Sequence, residues 1–155
     1  MFIKVLVLIA SILLLSCEAT EEVSETGLPE LEGTWLSSCS LNIYSEYVTH
    51  ELVFLNNTLN TTTLYFDNSS CSGSPIDLDD SYGTYVVGDA ITTPLGYDVL
   101  EFDYTVVITN ASSPFTLTSL DIIYIDSNQI YLGEGNGGVF TRPIEIDFNH
   151  PFIKQ

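Results

Sequence analysis

Leu100-Glu101-Phe102-Asp103-Tyr104-Thr105-Val106-Val107-Ile108-Thr109 changes between apolar and mostly polar side chains at every second residue. Successive side chains of a β-strand point to opposite faces, so Leu100, Phe102, Tyr104, Val106 and Ile108 share one face. That face is core, and the face carrying Glu101, Asp103, Thr105, Val107 and Thr109 is mostly wet, as in an antiparallel sheet with one solvated side. From Gly33 onward the chain keeps this character. It is rich in Thr, Tyr, Val, Ile and Phe, is broken by Asn, Asp, Gly, Ser and Pro clusters, and carries no long segment with a helical period. Strands are expected over residues 33–38, 47–55, 58–66, 81–87, 99–109, 117–126, 129–133 and 139–146.

Asn56-Asn57 and Ser127-Asn128 separate pairs of these runs by two residues, and Asn tolerates the positive φ that tight hairpins require. Residues 68–75 and 133–138 read as longer loops. Successive strands joined by short hairpins make a meander, and about eight of them can close so that no edge is left exposed. The expected fold is therefore all-β, an antiparallel up-and-down β-barrel of about eight strands. The alternative is a β-sandwich, in which the single tryptophan is a plain core anchor.

The N-terminus carries a different signal. Lys4 precedes an apolar run over residues 5–15 that only Ser11 interrupts, and Leu14-Leu15-Ser16-Cys17 follows. The pattern is that of an export signal, and the run is well short of the roughly 20 residues that a spanning helix needs. Leu14-Leu15-Ser16-Cys17 resembles the lipobox of bacterial lipoproteins. The resemblance implies cleavage before Cys17, diacylglycerol on its sulfur and acylation, for example with palmitate, of the new amino group. Two or three acyl chains give a stable anchor where one would not, each buried methylene contributing about 0.8 kcal/mol. Glu18, where the inner-membrane retention signal of that family usually has Asp, implies the outer membrane of the cell envelope. The expected organisation is a signal peptide over 1–16, an acidic lipid-anchored tether over 17–31 and a barrel domain over 32–155.

The sequence has a formal charge of −18, with 3 Lys and Arg residues against 21 Asp and Glu residues. Loss of residues 1–16 removes Lys4 and leaves Arg142 and Lys154 as the only fixed cations. Such a chain repels nucleic acid, which is bound through clusters of Lys and Arg. With Cys17 assigned to the anchor, Cys39 and Cys71 remain in an oxidising compartment, where a disulfide between them is expected.

Gly33-Thr34-Trp35 opens the first strand, and Arg142 lies in the last one expected. In a closed meander first and last strands are neighbours, so Trp35 and Arg142 are an expected barrel-closing pair, guanidinium on indole. Here the chain resembles the lipocalin and fatty-acid-binding barrels, whose Gly-x-Trp strand packs against an arginine of the final strand. Asp121 and Tyr124 echo the family's middle motif. Pro143 directly after Arg142, the short chain and the lack of a C-terminal helix depart from the pattern. The resemblance implies a small apolar ligand inside the barrel, with Phe54, Phe66, Tyr85, Phe102, Tyr104 and Tyr124 as candidate lining residues. Bulky rings also fill small barrels completely, which is the competing reading of the same residues.

Other chemistry has little material. Asp77, Asp79 and Asp80 are candidate calcium ligands because hard cations take several oxygens, but their spacing fits no EF-hand, and a solvated acidic loop is the simpler reading. His50 and His150 are the only histidines, too few for a zinc cluster, and His50 reads as a surface residue. Neither a Gly-x-Ser-x-Gly elbow nor a phosphate loop is present, so neither an enzyme nor a cofactor is expected. The expected function is a lipid-anchored binding module for a small apolar ligand. The alternative is a structural or protein-interaction lipoprotein of the envelope.

Overall fold

The computed structural model describes residues 28–109, 113–135 and 140–155. The signal segment, Cys17 and most of the acidic tether lie outside the described residues. Among those described there are nine strands and no helix: β1 (Gly33–Ser37), β2 (Ser40–Leu41), β3 (Tyr47–Leu55), β4 (Thr58–Phe66), β5 (Asp77–Thr92), β6 (Asp98–Ile108), β7 (Phe115–Asp126), β8 (Gln129–Leu132) and β9 (Phe152–Lys154).

All neighbours pair antiparallel. The order runs from β3 through β4, β5, β6, β7 and β8 to β9, and β1 pairs with both β9 and β3. Eight strands thereby close into an up-and-down barrel, lipocalin-like in architecture, with the short β2 continuing along the edge of β3 that β1 occupies. A two-sheet sandwich is excluded by this continuous pairing. The Leu55–Thr58 and Asp126–Gln129 pairs bracket the two short hairpins, and Asn56 and Ser127 take φ of 55° and 56° there.

β5 is longer than the run expected over 81–87. Asp77 to Asp80 continue the ladder with β4 in place of a loop, and Gly88-Asp89 forms a bulge against β6. At Gly83 an added Cβ would lie 1.8 Å from the Thr105 carbonyl oxygen, so β5 approaches β6 there as closely as only glycine allows.

The strand expected over 139–146 is not formed in its described part. Pro143 cannot donate to a ladder, and residues 140–151 instead lie as a strap against the outer wall, tied at one isolated bridge between Gly133 and Ile146. Beneath the strap a second core forms outside the barrel, in which Ile146 packs with buried Val99 and Ile122. Three residues after Pro151 then make β9, the strand that closes the ring.

This change of last strand corrects the expected pairing of Trp35 with Arg142. Trp35 is in register with Lys154, whose Nζ lies 4.9 Å from the centre of the indole. Arg142 belongs to the strap and goes to the carboxylates of β6: Nε is 3.3 Å from Glu101 and Nη1 2.6 Å from Asp103, with a further bond to the Asp121 carbonyl. First and last strands do meet through a cation on the tryptophan, but that cation is Lys154, twelve residues beyond Arg142.

The barrel core holds Leu31, Trp35, Leu52, Phe54, Leu59, Tyr85, Phe102, Val106, Ile123, Ile130 and Phe152. Leu31 is fully buried and its carbonyl accepts a 2.7 Å bond from the Trp35 indole N–H. The turn at 28–31, expected as the end of the tether, therefore belongs to the fold. Cys39 and Cys71 are disulfide-bonded, joining the β1–β2 connection to the β4–β5 loop.

Candidate functional site: a cavity in one half of the barrel

Pairing fixes which residues face inward. Leu52, Thr61, Ser81 and Ile108 lie side by side across four strands, as do His50, Thr63 and Asp79 across three. One end is filled. Phe54 meets Tyr85 edge to face with ring centres 5.0 Å apart, Phe102 lies 5.7 Å from Tyr85, and the Tyr85 hydroxyl donates to the Asn56 carbonyl at 2.7 Å. With Trp35 and Leu31 these rings plug the barrel where the β3–β4 hairpin turns.

Towards the opposite end, where the disulfide lies, the interior opens into a cavity of about 350 Å³. That is the low end of the size range of small-molecule sites, about 300–1,000 Å³. Leu52, Leu59 and Phe102 form its floor, and Val106, Ile108 and Leu117 line one wall. The facing wall, from β3, β4 and β5, is polar. There Thr61 Oγ1 is 2.6 Å from Ser81 Oγ, His50 Nδ1 is 3.0 Å from Thr63 Oγ1, and the Tyr65 hydroxyl donates to Asp79 Oδ2 at 2.7 Å, while Thr62 donates to Asp80 Oδ1 at 2.8 Å on the outer face. Asp79 lines the cavity with its carboxylate on the inward face of β5.

The ionisation of this wall follows from its surroundings. Burial, with a smaller contribution from His150, holds the His50 ring below the ordinary histidine value, so it is neutral at pH 7. The bond to Asp79, followed by burial, pushes the Tyr65 phenol up to about 12, so it stays a donor to that carboxylate. Burial also raises Tyr104 on the cavity lining. No family model and no curated protein matches the chain. The site therefore has to be read from its own geometry.

The six rings expected to line a ligand pocket separate into three groups. Phe102 and Tyr104 line the cavity. Phe54 and Tyr85 lie below it in the plug. Phe66 and Tyr124 have the wrong parity: Phe66 alternates with the inward Leu59, Thr61 and Thr63, and Tyr124 with the inward Asp121 and Ile123. Tyr124 packs outside the wall in the second aromatic cluster, its ring centre 6.1 Å from Tyr97, 6.0 Å from Tyr131 and 5.8 Å from Phe148. Ile122, Ile123, Tyr124 and Ile125 are all apolar because the strap covers the outer face of β7, so no polar residue marks the parity there.

Asp77, Asp79 and Asp80 do not form a calcium loop. They lie in β5, where Asp79 and Asp80 fall on opposite sides of the strand and bond Tyr65 and Thr62, and among the described residues no group of three or more His, Cys, Asp or Glu could hold a metal. His50 is half-buried on the lining, not a surface residue. Its alternation with Leu52 and Phe54 was the available signal. The polar wall of Thr61, Thr63 and Ser81 carries no such mark, since Thr and Ser serve equally on a wet face.

Proposed function

We propose that this chain is a binding module that takes a small ligand with an aliphatic part into the open half of its barrel, held at the cell envelope by acyl chains on Cys17. The observation that supports this reading is the cavity of about 350 Å³, with an apolar floor and wall and a plugged far end. A filled barrel would serve only as a scaffold. The envelope location and the lipid anchor rest on the lipobox resemblance of Leu14-Leu15-Ser16-Cys17.

Native mass spectrometry of the delipidated protein exposed to an apolar extract of the cells that make it tests the proposal. A bound species of small mass is expected. Leu117 stands at the mouth, 38% exposed with its side chain on the lining, so Leu117→Trp should abolish the adduct without touching the plug. An adduct that survives this substitution, or no adduct with any fraction, counts against the cavity as the binding site.

A second reading has one observation in its favour. Ile43 and Tyr44, in the β2–β3 turn, and Ile76, in the loop after Cys71, are exposed at the disulfide-bonded end, a surface that an envelope protein could cover. A crosslinking pull-down from intact envelopes that recovers the same partner from wild type and from Ile43→Ser, Tyr44→Ser protein removes the support for it.

A further inference from the structure

The charge on the lining narrows the class of ligand. If the cavity binds as proposed above, on which this preference rests, its lining decides which head group enters. Among the described residues its lining contains no lysine or arginine. The two fixed cations of the described residues are used elsewhere: Arg142 on Glu101 and Asp103 at the outer wall, and Lys154 over Trp35 at the plugged end, where it also donates to the Glu30 carbonyl at 3.1 Å. His50, the remaining basic group on the lining, is neutral at pH 7.

A carboxylate-headed ligand would therefore enter without a counter-charge. It would also meet the inward-facing Asp79 on the lining, in a chain of net charge −18. A buried or half-buried charge is tolerated only when it is paired, and like charges at close range repel. The acceptor oxygens have the opposite preference. Asp79 is held in place by the Tyr65 hydroxyl, Thr63 Oγ1 lies in register beside it, and the Thr61 and Ser81 hydroxyls are one step deeper. An ammonium group at the mouth would meet a carboxylate and hydroxyl oxygens, while its alkyl tail reached Leu52, Leu59 and Phe102.

We infer that the cavity takes amphiphiles with an amine head, the ammonium at Asp79 and the alkyl tail on the barrel floor, in preference to alcohols and against fatty carboxylates. Because Asp79 is only half-buried and stands at the mouth, the preference is screened by salt and weakens as ionic strength rises.

The test uses the exported full chain carrying Cys17→Ser, so that detergent is not needed, and a neutral fluorescent probe, N-phenyl-1-naphthylamine, displaced at pH 7 and low salt by decylamine, decanol or decanoate. Decylamine should displace the probe at the lowest concentration and decanoate at one at least tenfold higher. Within Asp79→Asn the ratio of decylamine to decanol affinity should fall to about one. Asp126→Asn, which removes the same charge from an exposed position outside the cavity, should keep the wild-type ratio. Decanoate displacing the probe as well as decylamine, or a ratio equally lowered by both substitutions, overturns the amine inference and leaves the binding module intact. Failure of the probe and all three amphiphiles to bind overturns both.

Discussion

Lys154 stands over the ring of Trp35, 4.9 Å from its centre and directly across the seam between β9 and β1. The contact joins the first strand of the barrel to the last. It does so at the plugged end, with the indole N–H fixed on Leu31, so the seam and the N-terminal turn are held by one side chain.

Replacing Lys154 by Met keeps most of the aliphatic stem and removes the charge. The expected cost is about 0.5–1 kcal/mol, the size of a cation–π contact at an exposed site. Because Trp35 is the only tryptophan, its emission in urea titrations reports this seam directly. An unchanged folded-state emission spectrum in Lys154→Met would mean that the ammonium does not sit on the ring.

Arg142→Ala tests the strap. Glu101 and Asp103 are partly solvated, with side chains 34% and 40% exposed, so the ion pairs themselves are worth little and the bond to the Asp121 carbonyl carries more. A loss of about 1–2 kcal/mol is expected. Amide exchange should rise over 140–151 while Trp35 emission stays as in the wild type. A shifted Trp35 spectrum in this variant would instead place the arginine at the barrel seam.

Asp121 gives the fold a pH dependence of unusual sign. Its side chain is buried on β7, and burial raises its pKa to about 6, although Oδ1 accepts bonds from the Ile122 and Gly133 N–H groups at 2.8 and 3.0 Å. The folded state therefore binds a proton more tightly than the unfolded state. Stability falls as pH rises from about 4 to about 6 and stays lowered above it. Asp121→Asn keeps an acceptor for both N–H groups and removes the charge. It should be more stable than wild type at pH 7, by about 1–3 kcal/mol, with the difference shrinking below pH 5. A difference that does not vary between pH 4 and pH 7 would show that this carboxyl ionises normally.

The disulfide closes a loop with a sequence separation of 32. In the chain-entropy account such a crosslink stabilises by about 3–4 kcal/mol. Cys39→Ala, Cys71→Ala protein should lose an amount of this order in urea unfolding. A loss below about 1 kcal/mol would mean that the unfolded chain is already constrained.

The barrel was legible wherever one face of a strand is wet. The alternation from Leu100 to Ile108 and the two-residue hairpins at Asn56 and Ser127 are enough to imply a closed meander. Legibility failed where tertiary context supplies what local pattern lacks. Asp77 to Asp80 look like a loop until Tyr65 and Thr62 are beside them. The run around Arg142 has strand composition but holds Pro143 and is used as a strap, and β9, only three residues long, is too short for alternation to mark it. At the cavity, Phe102 and Tyr104 could be found from parity, but Tyr124 could not, because the strap makes both faces of β7 apolar. The polar wall was hidden in ordinary Thr and Ser residues whose inward direction only the register reveals.

The most direct test of the central claim is a methyl NMR titration of the Cys17→Ser chain with decylamine. Saturable shifts are expected at Leu52, Leu59, Val106 and Leu117, with Leu95 and Val86 on the outer surface unmoved. Shifts confined to the outer surface, or none at all with decylamine and none with decanol or decanoate in its place, would contradict a ligand-binding barrel.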